Sequence, residues 1–188
     1  MRARTAALLF FVLLPCQGAR AGQALPQGFS EVAKEKLDGL KLVLTDANCS
    51  LTAPAADWKW LVFDASQGKN YMCFNPKTGA GFTVSLGRLT NDIDAHTRDQ
   101  VLAAARQSAA ASGAKVANEK YEQTQTPLPG NTWRLYHDVL FKQGGKIGVI
   151  LYLVKTADHT LVTLQDSTTT GAESKTFAQF VASLKPLK

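Results

Sequence analysis

The fold is decided by one stretch of sequence, Ile147-Gly148-Val149-Ile150-Leu151-Tyr152-Leu153-Val154. A β-strand places successive side chains on opposite faces, and this stretch is apolar on both of them. Because a strand with one wet face alternates apolar and polar residues, we expect this strand to be covered on both sides. It is the middle strand of a predicted antiparallel meander over residues 132–142, 146–155 and 160–165.

The rest of the chain adds short strands that are separated by turn residues, a spacing that indicates antiparallel pairing. A polar edge strand is predicted between the main helix and the meander, where charged side chains discourage self-association. These additional strands are predicted at residues 40–44, 58–63, 71–74, 82–86 and 115–126. The sequence thus predicts an α+β protein with a central antiparallel sheet of about six to eight strands.

Two helices are available to cover such a sheet. The first is predicted over residues 97–112 from a capping box that begins at Thr97, with Asp94 as an alternative start. The second is predicted over residues 173–184, where a capping box from Thr170 to Glu173 precedes apolar residues at helical spacing. A further short helix, capped by Ser30, is predicted near the N-terminus.

The N-terminus has the pattern of an export signal. Arg2 and Arg4 precede nine apolar residues (6–14), and Ala19-Arg20-Ala21 has the small residues of a cleavage site. The apolar run is too short for a transmembrane anchor, which needs about 20 residues. A lipid anchor at Cys16 is not favoured, because Pro15 stands where lipoprotein signals have a small residue.

The chain therefore divides into a signal peptide at residues 1–21, a leader with a short helix at 22–39 and one α+β domain at 40–188. The expected location is extracytoplasmic, either periplasmic or secreted, after cleavage near Ala21. Cleavage removes three arginines and no acid, so Lys and Arg fall from 21 to 18 against 15 acids, and the net charge from +6 to +3. The remaining lysines are scattered, which argues against nucleic-acid binding.

Two cysteines, Cys49 and Cys73, remain after cleavage. An even number in an oxidising compartment predicts one disulfide, and a structural bridge is favoured over a reactive pair because the spacing is not CxxC. The histidines show no HxxxH or HxH spacing, so no metal site is predicted. No motif for a nucleotide, a flavin or an activated serine is present, so no cofactor is predicted.

Four residues are candidates for a ligand or partner surface: Trp58, Trp60, Tyr71 and His137. Aromatic residues at strand spacing are more often core than groove, and a histidine on an apolar strand face is more often structural than catalytic. Asp138 cannot pair directly with His137, since adjacent strand residues point to opposite faces. No catalytic residue is therefore assigned.

The order of features resembles the PsbP-like superfamily, which includes bacterial extracytoplasmic proteins of the DcrB type. The resemblance rests on Ala56-Asp57-Trp58, a strand and helix over residues 82–113, Leu128-Pro129-Gly130, the meander, and a closing helix that ends at residues 180–185. It implies an α/β/α sandwich with helices on both faces of the sheet. It also implies a largely non-catalytic role in binding or stabilising other proteins.

Three functional hypotheses follow. The first is an exported, non-enzymatic accessory protein that binds another extracytoplasmic protein. The alternative is a small-molecule binder or hydrolase with an aromatic-lined cleft, in which Trp58, Trp60, Tyr71 and Trp133 surround an accessible His137. A third, an envelope-attached structural role, depends on lipidation of Cys16.

Overall fold

The structure is a computed structural model that describes residues 28–65, 68–89, 92–128, 131–156 and 159–187. The predicted signal peptide, its cleavage site and Cys16 lie outside the described residues. Within them, about half of the residues are in strands, and there are two α-helices, α1 (Ala95–Ala111) and α2 (Lys175–Ala182). The strands are β1 (Ser30–Glu31), β2 (Leu37–Asp38), β3 (Lys41–Leu44), β4 (Cys49–Thr52), β5 (Lys59–Ala65), β6 (Gly68–Phe74), β7 (Gly81–Arg88), β8 (Ala114–Thr124), β9 (Thr132–Phe141), β10 (Lys146–Lys155), β11 (Thr160–Thr168) and β12 (Lys185–Pro186).

An eight-stranded antiparallel sheet forms the framework, in the order β1-β5-β6-β7-β11-β10-β9-β8. The predicted meander is confirmed, since β9, β10 and β11 are consecutive neighbours. On β10, Ile150 lies opposite Tyr136 of β9 and Asp166 of β11, and Leu151 lies opposite Leu135 and Gln165. Residues 149–154 are all buried, which confirms the predicted cover on both faces.

One face of this sheet is covered by a second, four-stranded sheet together with α2. The small sheet has the order β12-β4-β3-β2 and joins residues 37–52 to residues 185–186. Its apolar residues Leu42 and Leu51 share one core with Phe82 of β7 and with Phe177 and Phe180 of α2. These side chains are buried, so this layer excludes water from most of the face it covers.

The opposite face is covered by α1. Its side chains Val101, Leu102 and Ala105 share a core with Leu135 of β9 and Leu151 of β10. The helix begins at the alternative start: the Asp94 side chain accepts a hydrogen bond from the Thr97 amide at 2.8 Å. This carboxylate satisfies one of the free amides of the first turn, and the hydrogen bond lowers the pKa of Asp94.

The predicted α/β/α sandwich with helices on both faces is wrong. The face that carries α2 also carries the small sheet, because β4 pairs with β3 and β12 instead of joining the large sheet. The α2 helix has eight residues and is about 12 Å long, whereas eight strands span about 34 Å. A helix of this length cannot cover the face alone, and the small sheet covers the remainder.

The segment before β3 also differs from the predicted short helix capped by Ser30. Ser30 and Glu31 form β1, which pairs with β5, and a 3₁₀-helix of three residues follows at Lys34–Lys36. Leu37 and Asp38 form β2 of the small sheet. Residues 30–38 thus contribute a strand to each sheet.

Candidate functional site

The predicted aromatic surface residues belong to the core that carries α2. Trp60 is 5% exposed; its indole nitrogen donates to the Leu40 carbonyl at 3.0 Å, and its ring lies 5.9 Å from that of Phe180. Trp58 is half-buried and stacks on Phe82 with the ring centroids 4.9 Å apart. Tyr71 is buried, and its hydroxyl accepts a hydrogen bond from the Lys36 ammonium at 3.3 Å.

His137 lies on the opposite face of the sheet, with Trp133, Leu135 and Val139 on the same side of β9. It is 1% exposed, and burial lowers its pKa to about 4, so the imidazole is neutral at pH 7. The structure therefore brings Trp58, Trp60 and Tyr71 together in one core and places His137 on the other side of the sheet. No shared cleft joins them among the described residues.

Cys49 and Cys73 are both fully buried and are free thiols in the structure. They lie on different sheets, β4 and β6, and both contribute to the core that contains Phe180. Burial raises the pKa of each thiol, that of Cys49 to about 12, which suppresses the reactive thiolate. The disulfide is not formed in this structure, and the pairing stays a prediction.

A pocket of about 310 Å³ opens at the β8 edge of the large sheet, on the face that carries α2. We call it the polar pocket; it is lined by Lys120, Tyr121, Glu122, Arg134, Tyr136 and Gly171. Lys120 lies directly opposite Tyr136 in the ladder, and Glu122 lies opposite Arg134. The alternation of strand side chains thus places two cross-strand polar pairs in one wall.

Arg134 is held between two carboxylates. Its Nη1 donates to Glu122 Oε1 at 2.8 Å, and its Nη2 lies 3.0 Å from Glu173 Oε2. The Tyr152 hydroxyl donates to both oxygens of Glu173, at 3.0 and 3.1 Å. Burial acts to lower the pKa of Arg134, but the hydrogen bond that it donates to Glu122 and the charge of Glu173 outweigh this effect and raise that pKa.

Asp138 holds the Tyr136 side chain, which lines the polar pocket. The Tyr136 hydroxyl donates to its Oδ1, the Asn118 amide donates to its Oδ2 at 2.7 Å, and the Lys146 ammonium lies 3.5 Å from Oδ2. Burial acts to raise the pKa of Asp138, but these partners lower it overall. The hydrogen bond to Asp138 raises the pKa of Tyr136 to about 12.

A bulge in β8 makes the Asn118 contact possible. The register between β8 and β9 shifts between Ala117 and Lys120, and Asn118 has a φ of 53°. Asparagine tolerates this left-handed conformation better than most residues, and the bulge redirects the side chain. The amide consequently reaches Asp138 from the sheet edge.

The sequence carries a signal for this site that does not involve its histidines. Arg134, Tyr136 and Asp138 alternate along one face of β9, a period-two polar pattern beside an otherwise apolar meander. The spacing of Thr170 and Glu173 predicts a capping box. In the structure Ser174 caps α2, with its hydroxyl oxygen accepting from the Phe177 amide at 3.0 Å, and Glu173 is available to Arg134.

No known protein-family model matches this sequence, and a comparison with curated proteins finds no match either. The PsbP-like resemblance therefore stays a prediction. Among the described residues, no helix is long and apolar enough to cross a membrane. In the same part of the chain, no group of three or more His, Cys, Asp or Glu side chains is placed to hold a metal ion.

Gly171 lines the polar pocket and gives a direct test of its packing. A Cβ on Gly171 would lie 2.8 Å from the Tyr136 hydroxyl oxygen, and Gly171 has a φ of +72° that disfavours any side chain. We expect Gly171→Ala to lower the free energy of unfolding by about 1–3 kcal/mol, from backbone strain plus the displacement of Tyr136. Urea unfolding measures this loss.

Gly113→Ala is the matched control, because Gly113 has a φ of +70° and open space where its Cβ would be. Both variants place a side chain at a positive φ and have the same backbone strain. The difference between their losses in free energy of unfolding therefore measures the contact with Tyr136. Equal losses in the two variants would show that Tyr136 does not pack against Gly171.

Proposed function

We propose that this chain is an exported, non-enzymatic binding protein that holds a polar group of another extracytoplasmic protein in the polar pocket. The export pattern at the N-terminus supports the location. One observation carries the binding role: the charged and phenolic groups of the pocket are already fixed by one another at the sheet edge. Arg134 is held by Glu122 and Glu173, and Tyr136 is held by Asp138.

Fixed polar groups of this kind suit recognition better than proton transfer. A general acid or base works best when its pKa is near the working pH. In this pocket the pKa of Tyr136 is raised to about 12 and that of Arg134 is raised as well, so both move away from neutrality. Pre-organised side chains lose little conformational entropy when a partner binds, and this increases the affinity per contact.

Site-specific photo-crosslinking tests the proposal. A photoreactive phenylalanine analogue at Tyr121, a pocket position that is exposed, is expected to give one stoichiometric adduct in an extracytoplasmic extract. The same analogue at Gln179, exposed on α2, is the position control. Equal adducts from both positions, or no adduct from a folded protein, would contradict the proposal.

Charge reversal in the pocket gives the second arm of this test. With the analogue at Tyr121, an exposed aromatic residue of the pocket, Lys120→Glu is expected to lower the yield of the adduct at least about tenfold, since reversing one charge of an interface disturbs its match to the partner. Lys115→Glu is the matched control, because Lys115 is an exposed lysine on the same strand and does not line the pocket. A loss of the same size in both variants would indicate a non-specific charge effect.

A small-molecule ligand is the second candidate, favoured by the size of the pocket. About 310 Å³ lies at the lower end of the range for small-molecule sites, roughly 300–1,000 Å³. Native mass spectrometry of the purified protein is expected to show a small adduct in this case. The adduct should be absent from Lys120→Glu and present in Lys115→Glu.

A further inference from the structure

The outer side of β8 is the long open edge of the large sheet. β8 has 11 residues and stands last in the strand order, whereas β1 at the opposite edge has 2. Among the described residues, no strand pairs with the outer side of β8. The bulge between Ala117 and Lys120 interrupts the strand, so its regular part begins at Lys120. The backbone amides and carbonyls along such an edge can bind a further strand.

Tyr121 is a second feature of this edge that points to a partner. It is 51% exposed, the highest exposure of any large hydrophobic side chain in the described part of the chain. Its ring is nevertheless held in place, because the Arg98 guanidinium of α1 lies 3.7 Å from the ring centroid and the Trp133 ring lies 6.3 Å away. An exposed aromatic ring that is already held loses little conformational entropy on association, and such rings are enriched at interfaces.

The charges beside Tyr121 favour a second copy of this chain as the partner. Lys120 and Glu122 flank Tyr121, and both are exposed. In an antiparallel pair with its two-fold axis at Tyr121, Lys120 of each copy lies opposite Glu122 of the other. An axis at Lys120 or at Glu122 would place like charges opposite each other, which is unfavourable. The charges that discourage self-association in these neighbouring registers therefore favour it in one register.

We propose that two copies of this chain pair antiparallel through β8, with Tyr121 on the two-fold axis and Lys120 of each copy opposite Glu122 of the other. The two large sheets then form one continuous sheet. Lys120 and Glu122 both line the polar pocket, so each copy supplies a charged residue to the pocket of the other. The two pockets lie side by side across the axis as one polar groove. This dimer goes beyond the proposed binding role and does not require it.

The dimer is expected to be weak. A short strand pair buries less surface than a typical stable interface, which is about 1,600 Å² in total, and we expect a Kd of about 10–1,000 μM. Sedimentation equilibrium of the purified protein measures this Kd. A wild type that stays monomeric at about 1 mM would overturn the proposal.

Charge exchange tests the register. Lys120→Glu and Glu122→Lys each place like charges opposite each other on both sides of the axis, and each is expected to raise the Kd at least about tenfold. An equimolar mixture of the two variants restores both pairs of opposite charges. It is expected to form a heterodimer with a Kd within about threefold of the wild-type value.

Lys115→Glu is the matched control for charge exchange. Lys115 is an exposed lysine on the same strand, before the bulge and outside the proposed pairs, so this variant should keep the wild-type Kd. A mixture that associates no better than either variant alone would overturn the proposal, as would a wild-type dimer that both variants retain.

Introduced cysteines give a second measurement that does not depend on the stability of the charge variants. Tyr121→Cys would place two thiols directly across the axis, with Cα atoms about 4.5–5.5 Å apart, within reach of a disulfide. Gln123→Cys is the control, because this exposed position lies about 13 Å from its counterpart in the proposed register. Under mild oxidation, Tyr121→Cys is expected to give at least about tenfold more covalent dimer than Gln123→Cys, measured above the wild-type background. Equal yields would contradict the axis at Tyr121.

The mass of the photo-crosslinked adduct at Tyr121 separates this inference from the proposed function. If the dimer exists, the purified protein alone gives an adduct with the mass of two copies. If the binding role holds, the extract gives an adduct of a different mass. The dimer fails when the first adduct is missing, and the binding role fails when the second is missing, so either can fail while the other stands.

Discussion

Replacing Phe180 with alanine is expected to lower the free energy of unfolding by about 3–5 kcal/mol, the usual cost of removing a buried phenylalanine ring. Phe180 is fully buried between α2 and the large sheet. Its ring lies 5.1 Å from Phe82, 5.9 Å from Trp60 and 6.3 Å from Phe177, measured between centroids. Truncation would leave a cavity among rings that cannot easily move, so little of the lost contact is recovered.

Urea unfolding, followed by the fluorescence of the tryptophans, measures this loss. Gln179→Ala is the matched control, since Gln179 is the exposed neighbour on the same helix and its change is expected to stay within about 0.5 kcal/mol. A loss below about 1 kcal/mol in Phe180→Ala would contradict the packing of α2 against the sheet. Because Glu173 directly precedes Ser174, the N-cap of α2, this variant should also weaken the contact between Glu173 and Arg134.

The meander was predictable because its signal is local. Residues 147–154 carry apolar side chains on both strand faces, and this pattern requires cover on two sides whatever lies elsewhere in the chain. The helix in residues 175–182 was equally predictable, since Phe177, Phe180 and Val181 repeat at helical spacing and are all buried. In both cases neighbours in sequence determine the structure.

The second sheet was not predictable, because its pairing joins distant residues. Leu42 and Leu44 alternate in β3, and this pattern fits a strand of either sheet equally well. The small sheet is completed by Pro186 of β12, which lies opposite Cys49 of β4. No local pattern indicates a partner more than a hundred residues away. The family resemblance implied helices on this face, and the small sheet was therefore not expected.

The polar pocket was hidden for a related reason. Glu173 follows Thr170 at the spacing of a capping box. This local pattern gives the Glu173 carboxylate a role and does not indicate a distant partner. In the structure Ser174 is the N-cap of α2. The Glu173 carboxylate instead forms an ion pair with Arg134 of β9, which is distant in sequence. Polar residues on one face of β9 indicated a site, but their partners depend on the tertiary fold.

His137 is expected to make the protein less stable in acid. Burial lowers its pKa from 6.5 to about 4, so the unfolded chain binds the proton more readily between these values. Stability is therefore lost as pH falls from 6.5 towards 4, by about 3 kcal/mol in total and about 2 kcal/mol between pH 7 and pH 4.5.

Asp166 acts in the opposite direction over nearly the same range. Its pKa is raised from 3.8 to about 6, so the folded chain binds the proton more readily, and stability increases as pH falls through this window. The gain is also about 2 kcal/mol between pH 7 and pH 4.5. The contributions of these two groups nearly cancel, and we expect the wild type to show little change in the free energy of unfolding over this interval.

Variants that remove one group at a time should reveal the cancellation. On acidification from pH 7 to pH 4.5, Asp166→Asn is expected to lose about 2 kcal/mol and His137→Gln to gain about 2 kcal/mol, each relative to its own value at pH 7. Urea unfolding at several pH values measures these slopes, and comparing each variant with itself removes any constant cost of the substitution. His96→Gln, an exposed histidine just inside α1, should keep the flat wild-type profile. If Asp166→Asn stayed flat while the wild type was flat, neither buried group would have the shifted pKa that its surroundings impose.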